Sequence, residues 1–130
     1  INRTVRFFAS AAGINMVVCT DEPTSLTDAY AFIKLNHAAN KAQNIHIVVN
    51  MASTPAEGER TYQTLAKACQ SFLKIQPPSL GFVRQDRKVK DAIRAQTPYL
   101  IKFPNGDAAG DIEKLAEALS ALCRTPEAQS

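Results

Sequence analysis

Two short runs dense in β-branched residues constrain this chain more than any other feature: INMVVCT at 14–20 and NIHIVVN at 44–50. Neither alternates cleanly between apolar and polar, which is how a strand buried on both faces reads. A turn follows each run, and then apolar residues recur at helical spacing. After the first run come Leu26, Ala29, Tyr30 and Ile33, in a stretch extending to about Lys41. After the second, Tyr62, Leu65, Ala66, Cys69, Phe72 and Leu73 form a broad stripe that stops before Pro77-Pro78. Strands alternating with amphipathic helices call for a parallel sheet with right-handed crossovers. The expected fold is α/β, a three-layer parallel sheet with flanking helices.

Local signals fill in the rest. Thr54-Pro55-Ala56-Glu57 is a capping box with proline at the first helical position, and Thr24 is expected to cap the preceding helix. SLGFV at 79–83 reads as a third strand, followed by a short helix opening at Asp86 or Arg87 and running to Ala95. Residues 98–103 are expected to be extended and 106–110 to be a loop. Asp111 is expected to start a last helix, with Ile112, Leu115, Leu119 and Leu122 on one face. Residues 1–12 read as a leading helix with Val5, Phe8, Ala9 and Ala12 aligned, ended by Gly13. Residues 1–124 make one domain and 125–130 a frayed tail.

Composition excludes several classes. Fifteen Lys+Arg against twelve Asp+Glu leaves +3, too little to argue for nucleic acid. The apolar runs are about five or six residues long, against the roughly 20 that cross a bilayer. Cys19, Cys69 and Cys123 lie far apart without a C-x-x-C pair, which argues for a reducing compartment and against a thiolate zinc site. His37 and His46 have no second ligand at metal spacing. Neither common phosphate-loop motif occurs, nor does a hydrolase or zincin motif, so no catalytic residue and no metal ligand is assigned.

Three polar strand ends are the candidate sites, because ligands of open α/β sheets bind beyond the carboxyl ends of the strands. Asp21-Glu22-Pro23-Thr24-Ser25 follows the first strand, as a site or simply as a solvated helix start. Asn50 ends the second, offering an acceptor and two donors to a purine edge, or closing its own turn. Arg84-Gln85-Asp86 follows the third and leads into Arg87, Lys88, Lys90 and Arg94, a basic stretch that also suits a solvated helix face. All three fall on one edge of one sheet.

These residues also carry a family resemblance. Val17 to Tyr30 (VVCTDEPTSLTDAY) resembles the "VVTTPEPTSITDAYALIK" segment of the MinD/ParA-type ATPases, nearest to the flagellar-number regulators FlhG or FleN. Ile47-Val48-Val49-Asn50 is similar to the family's "VVN", and Leu80 to Asp86 (LGFVRQD) to its "LGYIPYD". Val89, Ala92, Gln96, Pro98-Tyr99-Leu100 and Pro104 fall on "V..A...Q.PFL...P". The likeness covers nearly the whole chain, and EPTSLTDAY is its specific part.

The resemblance implies the C-terminal half of a P-loop NTPase-like fold, with the Walker A lysines, switch aspartates and "DTGAG" turn N-terminal to these residues. Three strands make a thin sheet and the chain opens at Ile1 rather than Met, which fits the expectation of a piece of a longer protein. By resemblance, the whole protein would bind ATP and Mg²⁺ and act as a cytoplasmic ATPase, peripheral at the inner membrane through a segment absent here. It would form a homodimer and meet regulatory or flagellar assembly proteins, with no specific nucleic acid. This chain alone would be inactive. Asn50 matches the adenine-recognising Asn, and Arg84, Gln85 and Asp86 match the loop that closes over base and ribose. Arg84 departs from the family's proline, removing a fixed φ there. Asp21, Glu22, Thr24, Ser25 and Asp28 are the expected partner or dimer surface. The alternative is a non-enzymatic α/β scaffold or interaction module lacking the nucleotide loop. A half-sheet with a bare edge and face is also expected to pair with a second copy.

Overall fold

A computed structural model describes residues 5–9, 13–39 and 44–124. Four strands form one sheet in the order β1-β2-β3-β4: β1 (Val5–Ala9), β2 (Ile14–Cys19), β3 (Ile45–Ala52) and β4 (Ser79–Arg84). β2, β3 and β4 are parallel, and β1 runs antiparallel to β2 with Val5 opposite Val18 and Ala9 opposite Ile14. The helices are α1 (Pro23–Ala38), α2 (Pro55–Ala68), α3 (Arg87–Arg94), α4 (Tyr99–Lys102) and α5 (Asp107–Arg124). This is the α/β arrangement expected, three parallel strands with flanking helices.

The leading helix is the main correction. Residues 5–9 are a strand, and the remainder of 1–12 lies outside the described residues. Val-Arg-Phe-Phe is β-branched and aromatic, so it suits a pleated surface, and pairing it with β2 closes an otherwise open sheet edge. Gly13, at φ 66, supplies the left-handed residue just before β2 that an L side chain disfavours. The tail 125–130 also lies outside the described residues.

One face of the sheet holds the core. Val17 and Cys19 of β2, with Ile45, Ile47, Val49 and Ala52 of β3, pack against Ala29, Ile33, Leu65 and Cys69. α1 turns Ser25, Ala29 and Ile33 inward, one turn apart each, and α2 turns in Thr61, Leu65 and Ala66. Gly58 of α2 lets the helix close on β4, where a Cβ would lie 3.2 Å from Phe82 Cβ. α5 covers the opposite side of β4. The helix begun by α2 continues through a π-helical turn, Cys69–Leu73, and stops at Lys74 in the left-handed conformation.

Three boundaries move. Glu22, not Thr24, is the N-cap of α1, because Pro23 lacks an N–H and fits the first helical position. The segment expected to be extended at 98–103 contains the one-turn α4, started by Pro98 with Ile101 and Lys102 N–H both returning to its carbonyl. α5 begins at Asp107 rather than Asp111, so the expected loop at 106–110 is mostly helix. Its first-turn N–H groups find side chains from other elements, a signal absent from the local sequence.

Candidate functional site: the carboxyl edge of the sheet

Register decides what meets at this edge. Cys19 pairs with Val49 and Ala52 with Arg84, so the residues after β2, the end of β3 and the turn after β4 lie side by side. Gln85 N donates to Ala52 O at 2.7 Å, extending the β3–β4 ladder one step into the turn. The pairing slips between Val49 and Ala52, opposite Phe82 and Arg84, so β3 bulges at Asn50 and Met51. Met51 takes φ 57 there. Such bulges re-aim a side chain at the rim of a sheet.

Asn50 is half-buried, and its Oδ1 accepts from Met51 N at 2.9 Å. Since only the oxygen can accept, the amide nitrogen is turned away from that bond with two protons to donate. Among the described residues no acceptor is hydrogen-bonded to it. The turn-closing reading of Asn50 thus describes what its oxygen does.

Arg84 and Asp86 are anchored. Asp111, buried on α5, accepts at Oδ2 from Arg84 N (2.8 Å) and Nε (2.9 Å), and at Oδ1 from an Arg84 terminal nitrogen (3.2 Å). Burial pushes the Asp111 carboxyl up, but the hydrogen bonds and charge of Arg84 outweigh it and hold the carboxyl below its ordinary value. The hydrogen bond to Asp111 in turn raises the Arg84 guanidinium. Asp86 caps α3 through Oδ1, accepting from Lys88 N at 2.9 Å. Its Oδ2 accepts from the Tyr99 hydroxyl at 2.6 Å and from Ala108 N at 3.1 Å. The Tyr99 bond leads in holding Asp86 below the usual carboxylate range, while burial and then Asp86 raise the tyrosine. Gln85, between the two anchors, is exposed.

Beyond β2, Asp21, Glu22 and Thr24 are exposed and Asp28 is half-buried, all near the start of α1. Ser25 sits beneath them at 1% exposure, its Oγ accepting from Thr20 N at 2.8 Å. Sequence reasoning missed Tyr99 and Asp111, which hold the third strand end. A tyrosine hydroxyl where the resembled pattern has phenylalanine was the one signal for the first, and nothing in the local sequence marked Asp111 of α5 as the partner of Arg84.

Among the described residues no three His, Cys, Asp or Glu side chains converge as metal ligands, and no helix is long and apolar enough to cross a membrane. A cavity of about 310 Å³ lined by Asn44, His46, Gln76 and Pro77 opens at the opposite end of the strands, away from the polar edge.

No protein-family model matches the chain. It is 34% identical over 113 residues to the antiactivator FleN of Pseudomonas aeruginosa, a match covering 87% of this chain and 40% of FleN. It is 29% identical over 126 residues to the flagellum site-determining protein YlxH of Helicobacter pylori, covering 96% of this chain and 42% of that protein. The chain thus spans about two fifths of the length of these curated relatives. Over most of its residues, it is a relative of the flagellar-number regulators of the MinD/ParA family.

Proposed function

We propose that these residues form the adenine side of a nucleotide pocket in a MinD/ParA-type ATPase that regulates the number or placement of flagella. The observation that supports this is Asn50 at a bulge of β3, its amide oxygen held by Met51 N, on the edge where such sheets take ligands and where Gln85 is exposed. An amide that donates there while its oxygen is fixed suits an adenine ring nitrogen. Asp86 spends three acceptor positions on the fold, leaving one of about four for a ribose hydroxyl. Arg84, paired with Asp111, sets the loop rather than reaching for the ligand.

In the complete protein, ATP would enter with Mg²⁺, whose chemistry is to neutralise charge on the phosphates. No residue of this chain is a catalyst in that scheme. The 1–124 region would be the C-terminal part of the ATPase domain, and the phosphate loop would come from residues outside it. Asp21, Glu22, Thr24 and Asp28, supported by the buried Ser25, would form part of the surface met by a second copy in an ATP-dependent homodimer or by flagellar regulators. The protein would work in the cytoplasm, at the inner membrane when anchored by another segment.

The test is an ATP titration of the complete protein with and without Mg²⁺. Asn50→Asp keeps the acceptor for Met51 N and deletes the outward donor, so it should weaken ATP by about tenfold, the loss of one buried hydrogen bond. A complete protein without Mg²⁺-dependent ATP binding would sink the proposal and favour a scaffold that works through partners alone.

A further inference from the structure

We infer that Asp111 and Tyr99 are positioning residues that hold the turn at 84–86 in its ligand-ready shape before any nucleotide arrives. The N–H groups of Arg84 and Gln85 and the charged side chains of Arg84 and Asp86 are each tied to an element beyond the turn. Arg84 is held by its own N–H and by its guanidinium to the same buried carboxylate, and a terminal nitrogen reaches Asp107 O at 3.4 Å. Gln85 is held by its N–H to β3. Asp86 is held by the Tyr99 hydroxyl, whose oxygen in turn accepts from Ala109 N at 3.0 Å. One tie meets α5 at Asp111 and the other at the N–H groups of Ala108 and Ala109, so the turn after β4 and the start of α5 form one hydrogen-bonded unit.

This arrangement exceeds what capping α5 requires. One side-chain acceptor at an N-terminus suffices for an ordinary helix, yet two from other elements, Asp86 Oδ2 and the Tyr99 hydroxyl, converge here. Gly106 is part of the same device, because a Cβ there would run into the Tyr99 oxygen and lie 3.0 Å from Asp86 Oδ2. The two ties also fall at departures from the resembled pattern. Arg84 stands where that pattern has a proline with fixed φ, and Tyr99 where it has a phenylalanine with no hydroxyl. A polar clasp does the ordering that a pyrrolidine ring does elsewhere. If, as proposed above, this edge takes adenine, a turn ordered in advance spares the ligand the entropic cost of freezing it.

The experiment compares ATP with inorganic tripolyphosphate as ligands of the complete protein. Asp111→Ala and Tyr99→Phe should each weaken ATP about tenfold, roughly the cost of ordering one residue's backbone. Tripolyphosphate affinity should stay unchanged, because that ligand has no base for the turn to meet. General loss of structure would weaken both ligands alike, and equal weakening, or none, overturns the positioning role. Tyr99→Phe retains the ring and so guards against a misfolded Asp111→Ala. Amide exchange in the unliganded protein is read beside this: Arg84 N–H should exchange at least tenfold faster in Asp111→Ala, and Ala109 N–H in Tyr99→Phe. Unchanged exchange overturns the clasp itself. Faster exchange in the variants, with a wild-type protein that does not bind ATP, leaves the clasp standing and overturns the ATP site, and with it the positioning of a nucleotide.

Discussion

Gly81 of β4 faces Leu115 of α5 so closely that a Cβ on the glycine would lie 2.8 Å from Leu115 Cδ2. Gly81 also takes φ 151, where L residues are strained, at the step where β4 slips register against β3 between Ile47 and Val48. The glycine is therefore needed twice over, for the helix's approach and for the backbone at the bulge.

Gly81→Ala should destabilise the fold by about 1–3 kcal/mol, as an overpacked and strained position does. Adding Leu115→Ala removes the clash but not the φ strain. Thermal unfolding of the pair separates the two: the second change should recover part of the loss, and full recovery would show that the backbone carries no strain.

Thr54 should be worth about 1 kcal/mol as the N-cap of α2. Its Oγ1 accepts from Glu57 N at 3.1 Å, on an exposed turn. Thr54→Ala should lower the unfolding free energy read from a urea titration by that amount, and Thr54→Ser should not.

Stability should fall on the acid side through Asp86 and Asp111. Both carboxyls lie below their ordinary values in the folded chain, Asp86 through the Tyr99 hydrogen bond and Asp111 because Arg84 outweighs burial. The stability they contribute is then present above the unfolded-state value near 3.9 and is lost as pH drops through the lower folded values. Tyr99 is raised, so its contribution holds below about pH 10 and is lost above. Denaturation midpoints should be flat from about pH 5 to 9, and Asp111→Asn should flatten the acid limb. An acid limb unchanged by that substitution would contradict the assignment.

Cys19 should resist alkylation. Burial raises its thiol to about 11 from an ordinary 9.0, which lowers the thiolate fraction roughly a hundredfold at neutral pH. With iodoacetamide at pH 8, mass mapping should find Cys123 labelled well before Cys19 and Cys69, and all three labelled in guanidinium. Early labelling of Cys19 would mean that β2 opens far more readily than a core strand does.

Much of the fold is legible in the chain because its signals are local. INMVVCT and NIHIVVN declare buried parallel strands by lacking alternation, and the Thr54 box with Pro55 places the start of α2 to the residue. The convergence of three polar strand ends is legible too, since it follows from parallel order alone. Residues 5–9 defeat the same logic: Val5, Phe8 and Ala9 sit at helical spacing, yet VRFF has equal claim to a strand, and only the open edge of β2 decides between them.

What the sequence determined by itself was therefore periodicity, caps and the edge at which polar residues collect. The tertiary structure alone decided which of them are spent on the fold. Asp86 is bound to a hydroxyl 13 residues on, Arg84 to a carboxylate 27 residues on, and the oxygen of Asn50 to the next residue's N–H where β3 slips against β4. A polar side chain at a strand end is the same in sequence whether it anchors or binds. The difference lies in partners that chain folding brings to it from far along the sequence, and no local pattern encodes them.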